Sequence, residues 1–88
     1  MKAVITVLGR DRTGIIAGVS NLLYTSNVNI LDISQTILSE MFTMIMLVEL
    51  SKDAHYDDVR AKLNRLAEET QLEIRMQRSD IFDAMHRI

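Results

Sequence analysis

The chain contains no cysteine, no proline and no tryptophan, and only three of its 88 residues are glycine. Without cysteine there is no disulfide framework, no thiolate nucleophile and no sulfur ligand for copper or zinc, a composition that suits a reducing compartment. With no proline and little glycine, few residues break regular structure. Aromatics are scarce as well, two phenylalanines and two tyrosines, which starves any sheet of the stacking platform that single-stranded RNA requires. No sign of charge dominates: ten basic residues oppose twelve acidic ones for a net charge of −2, and the basic residues are scattered. That excludes a strong electrostatic pull on a phosphate backbone. The apolar run from Ala3 to Leu8 is far too short for a signal-peptide core or a membrane span. The expected setting is therefore the cytoplasm, with neither nucleic acid nor membrane as a direct partner.

What is present is an ordinary globular balance, 48% hydrophobic and 25% charged. At this length one domain covering residues 1–88 is expected. A fold of that size hides only about 60 to 65% of its extended surface, so partner subunits would add useful burial and self-association is expected.

Hydropathy divides the chain into alternating elements. Lys2 to Leu8 is β-branched and apolar up to Gly9, which predicts a strand buried on both faces. From Gly14 the period changes: Ile15, Ile16, Val19, Leu22 and Leu23 recur at helical spacing, with Thr13 or Asp11 available as a cap and an end near Thr25 to Asn27. Asn29 to Leu38 and Met41 to Leu50 read as two strands of a hairpin turning at Ser39-Glu40. A second helix is expected from about Tyr56 to Thr70, with Val59, Leu63, Leu66 and Ala67 on one stripe and Asp57 and Asp58 in the first turn, where the helix dipole favours them. Leu72, Ile74 and Met76 alternate with polar residues in a half-exposed strand. Ser79 or Asp80 would cap a short C-terminal helix bearing Ile81, Phe82, Met85 and Ile88. The order is that of an α+β, ferredoxin-like βαββαβ sandwich, an antiparallel sheet with both main helices on one face. Met41 to Leu50 is apolar on both sides, so one alternate set is expected to face the helices and the other to form a contact surface on the open face.

The segment joining the first strand to the first helix, Gly9-Arg10-Asp11-Arg12-Thr13-Gly14-Ile15-Ile16, carries the most chemistry. Gly14 has no Cβ, so a ligand or a neighbouring backbone can approach closely, while the free N–H groups of the following turn and the helix dipole favour a carboxylate. An amino acid brings such a carboxylate, and its ammonium would find an acceptor in Asp11 or the Asn29 side chain, of the same subunit or a neighbouring one. The residues alone leave a second reading equally open, in which Gly14 permits tight packing and Asp11 and Thr13 only cap the helix.

This loop resembles the ligand loop of ACT domains, an acidic residue followed by a variable or basic one, often a proline, then glycine and two aliphatics. Thr13 stands where many members carry proline. Asn29-Ile30, opening the second strand, matches a second recurrent feature of that family, and the resemblance spans nearly the whole chain. In particular it resembles the stand-alone ACT proteins related to regulators of glycine cleavage. The resemblance implies a regulatory amino-acid-binding domain acting as a homo-oligomer, with a ligand site at Asp11, Arg12, Thr13, Gly14, Ile15, Ile16, Asn29 and Ile30, and with Arg12 as a surface charge or rim contact.

Competing readings are weaker. Gly9-x4-Gly14 has the spacing of a phosphate loop, but Ile15 and Ile16 occupy the positions where lysine and a hydroxyl residue are required. Asp53, His55, Asp57 and Asp58 are read as a solvated helix entrance rather than a metal site, and His86 as a surface residue. No pair of groups is patterned for acid-base chemistry. An enzyme, a cofactor and a metal are therefore not expected. The partners expected are a small amino acid, a second copy of the chain and a regulated protein; the alternative is a ligand-free interaction or scaffold module.

Overall fold

The computed structural model describes residues 1–10 and 14–79, with Leu38 described by its backbone. Its elements follow in the order β1 (Lys2–Arg10), α1 (Ile15–Thr25), β2 (Val28–Leu38), β3 (Met41–Leu50), α2 (Tyr56–Thr70) and β4 (Glu73–Arg78). The four strands form one antiparallel sheet in the order β2-β3-β1-β4, which leaves β2 and β4 at the edges. This is the ferredoxin-like arrangement that the hydropathy periods require.

Strand alternation decides where the core forms. Ala3, Ile5 and Val7 of β1, Phe42, Met44, Met46, Val48 and Leu50 of β3, and Ile74 and Met76 of β4 are all buried. They pack with Ile15, Val19 and Leu23 of α1 and with Val59 and Leu63 of α2. Each helix thus buries one stripe against one sheet face. α1 lies against β2 and α2 against β4.

Both helices end on left-handed residues. After α1, Ser26 donates to the Leu22 and Leu23 carbonyls and Asn27 follows at φ 61. After α2, Gln71 adopts φ 58 and the Leu72 N–H donates to the Ala67 carbonyl at 3.0 Å. Such residues stop a helix by turning the chain while satisfying its last carbonyls. The β2–β3 hairpin turns at Ser39-Glu40 with Ser39 at φ 59.

Several expectations are corrected. β1 does not stop at Gly9 but runs to Arg10, because Gly9 keeps a place in the ladder opposite Phe42. Nor is it buried evenly on both faces: Thr6 and Leu8, on the face without helices, are half-buried. β2 begins one residue early, at Val28, and a bulge between Ile30 and Asp32 switches its facing. Beyond the bulge, Ile33 pairs with Met46 and Ile37 with Phe42, so both point to the helix side. Of the three methionines in β3, Met44 and Met46 are fully buried toward the helices, whereas Met41, Ile45 and Leu47 lie on the open face. The expected C-terminal helix, apart from its first candidate cap Ser79, lies outside the described residues, as does His86.

Candidate site at the start of the first helix

α1 begins at Gly14. Its φ of 90° and ψ of −3° place it in the left-handed region, which glycine enters without the Cβ clash that other residues suffer. Gly14 is itself the N-cap, with no side-chain capping hydrogen bond, and its carbonyl accepts the Gly18 N–H at 2.8 Å. The expected caps Thr13 and Asp11 lie outside the described residues, together with Arg12. A glycine cap satisfies geometry without supplying a side-chain acceptor of its own to the N–H groups of the first turn.

Ile15 points inward and is buried, whereas Ile16 is 39% exposed on the flank of the helix. The two flanks of α1 face different neighbours. Gly18 and Leu22 lie on the side of α2, where each lines a depression shared with Leu66. Helical geometry then puts Ile16 and Ser20 on the other flank, toward the β2 edge. On that side Ile33 and Ile37 are 38% and 57% exposed, so an apolar strip runs from α1 onto β2 without cover from the described residues of the chain.

The second half of the expected site lies elsewhere. Asn29 pairs with Glu49, which also pairs with Lys2, at the end of the sheet where β1 begins. Gly14 is at the other end, near Gly9 and Leu72. Eight residues of β3, from Glu49 to Met41, separate the two levels, about 26 Å at about 3.3 Å per residue. Within one chain, therefore, Gly14, Ile15 and Ile16 are brought together, and Asn29 and Ile30 are not brought to them. Asn29 is exposed on the face opposite the helices, and half-buried Ile30 packs against the core on the helix side.

A feature absent from the sequence reading lies beside Gly14. A cavity of about 130 Å³ opens between the start of α1 and the end of α2, walled by Gly14, Gly18, Val19, Leu66, Thr70 and Leu72. The available signal was Gly18, a glycine in a helix interior, where it costs about 1 kcal/mol relative to alanine. Asp53, His55, Asp57 and Asp58 are all exposed at the entrance to α2, and among the described residues no group of three or more metal-ligating side chains converges. Among the same residues no helix is long and apolar enough to cross a membrane.

The element order and sheet define a ferredoxin-like α+β domain, with the start of the first helix at one end of the sheet. Residues 2–77 match the ACT domain family, and the chain belongs to that family, whose members are regulatory ligand-binding domains. A UPF0237 protein of Listeria innocua is 47% identical over 89 aligned positions covering all of both chains. The structure of an ACT domain protein from Streptococcus pneumoniae superimposes with a TM-score of 0.83 at 40% identity, covering 98% of each chain. A structure described as a putative glycine cleavage system transcriptional repressor matches at 31% identity and a TM-score of 0.80, over 89% of this chain and 45% of that one.

Proposed function

We propose that the protein is a cytoplasmic, homo-oligomeric amino-acid sensor whose ligand binds where the loop Asp11–Ile16 of one subunit meets the Asn29-Ile30 strand start of another. The observation that carries this reading is the separation of Gly14 from Asn29 by the length of the sheet, combined with the edge position of β2. Two β2 strands paired antiparallel about a two-fold axis place the beginning of one beside the end of the other. The end of β2 is at the level of Met41 and Arg10, where the Gly14 loop starts. Pairing therefore carries Asn29 of the partner subunit to the Gly14 loop and creates two equivalent sites. The exposed strip of Ile16, Ile33 and Ile37 supplies apolar area to the same contact.

In this reading the ligand carboxylate meets the N–H groups of the Ile15-Ile16 turn, and the ammonium meets Asp11 or the Asn29 carboxamide of the partner subunit. Arg12 and Thr13 complete the rim. Occupancy ties the subunits together and so alters assembly, which is read by a regulated protein. The similarity to a repressor of glycine cleavage supports a regulatory output. The net charge of −2 argues for a protein, not a nucleic acid, as its recipient.

A small amino acid of about five heavy atoms gaining about 1 kcal/mol each reaches a Kd of a few tenths of a millimolar. At about fifty times that concentration it adds roughly 2.3 kcal/mol and raises the melting temperature by several degrees. A thermal-shift series across the common amino acids, followed by calorimetry, tests this. If none shifts the transition at tens of millimolar, the ligand-free scaffold replaces the sensor.

A further inference from the structure

Resting on the sensor reading and deepening it, we infer that the cavity between α1 and α2 receives the side chain of an aliphatic amino acid, from two to four carbons long, whose carboxylate is held at the start of α1.

The volume sets the size. About 130 Å³ is well below the roughly 300 Å³ at which pockets for drug-sized molecules begin. It matches a single aliphatic group: four carbons at roughly 25 Å³ each, close-packed, fill most of it.

The lining sets the polarity. Val19, Leu66 and Leu72 present hydrocarbon, and the one side-chain hydroxyl, that of Thr70, is already engaged as a donor to the Leu66 carbonyl at 2.6 Å. Nothing in that lining compensates a buried charge, so aspartate or lysine side chains are rejected.

The two glycines set the access. Gly14 and Gly18 are one helical turn apart on the same wall, and among the described residues a Cβ added at either meets no atom of another element within 4 Å. Close helix packing therefore does not account for them. The absence of side chains there keeps the mouth open, and Gly14 belongs both to this mouth and to the turn whose N–H groups face the carboxylate. One small molecule thus spans both features, its Cα at Gly14 and its side chain between the helices.

The experiment is calorimetry on the full chain with alanine, 2-aminobutyrate, norvaline, leucine and phenylalanine. Each methylene moved out of water tightens binding about fourfold, so leucine is expected to bind roughly sixtyfold tighter than alanine, with a reversal at phenylalanine. Gly18→Leu fills the mouth and should erase this gradient. The substitution raises helix propensity, and circular dichroism checks that α1 persists. Leu66→Ala enlarges the cavity from the opposite wall and should improve phenylalanine binding at least tenfold, a readout that stands even if Gly18→Leu does not fold. Binding that is flat across the series, or leucine affinity unchanged by Gly18→Leu, overturns the cavity assignment and leaves the sensor reading standing. No binding by any of the five overturns the cavity assignment, whereas the sensor reading falls only if the thermal-shift series across the common amino acids is silent as well.

Discussion

Gly9 of β1 lies directly against Leu72, so closely that a Cβ at position 9 would collide with the leucine side chain. Leu72 follows the left-handed Gln71 that ends α2, so this contact locks the α2–β4 turn onto the end of β1. Gly9→Ala forces the end of the Leu72 side chain to move and is expected to destabilise the protein by about 1 kcal/mol, the low end for overpacking. The measurement is the urea midpoint. Because the clash needs both partners, Gly9→Ala combined with Leu72→Ala should lose less than the sum of the two single changes.

Gly14 has a different reason to be glycine. None of the described residues crowds it, but its φ of 90° disfavours any residue with a Cβ, most of all a branched one. Gly14→Val is expected to cost about 1 to 3 kcal/mol and to abolish amino-acid binding, whereas Gly14→Asn, which tolerates left-handed backbone, should retain the fold. Thermal melts and calorimetry on the pair separate strain from loss of the site. Native affinity in a folded Gly14→Val protein would place the ligand elsewhere.

The β2 edge and the strip beside it predict at least a dimer by light scattering after size exclusion. Ile33 and Ile37 are exposed on the helix side of β2, so Ile33→Lys and Ile37→Lys should yield a folded monomer. The open sheet face is tested by Ile45→Glu. Met44 and Met46 cannot serve for that purpose, since both are fully buried beneath the helices and a glutamate there would unfold the chain. A native protein that remains monomeric at high micromolar concentration would remove the composite site.

The Tyr56 hydroxyl donates to the Met76 carbonyl at 2.9 Å and ties the first turn of α2 to the edge strand β4. Tyr56→Phe removes this bond at constant shape and should cost about 0.5 to 1.5 kcal/mol, a shift of several degrees in melting temperature. Ligand affinity should be unchanged, because Tyr56 starts α2 and the Gly14 cavity adjoins its far end.

Much of the architecture is written in local periodicity. The α2 limits Tyr56–Thr70 and the β3 limits Met41–Leu50 follow from where apolar spacing changes between 3.6 and 2, and the order of elements admits few sheets. The start of α1 beside Gly14 was legible from the change to helical spacing at Ile15, but the left-handed backbone that makes Gly14 itself the cap was not. The bulge near Leu31 was not legible, since no residue type demands one there, and it alone decides that Ile33 and Ile37 share the helix side with Met46 and Phe42. Likewise sequence proximity could not reveal that Gly14 and Asn29 stand at opposite ends of the sheet, nor that Gly18 and Leu66 face one another across a cavity. Hydrophobic pattern specifies which face of each element is buried. The spaces left between elements, and the ends at which residues meet, depend on strand register and helix packing, which only the assembled tertiary structure determines.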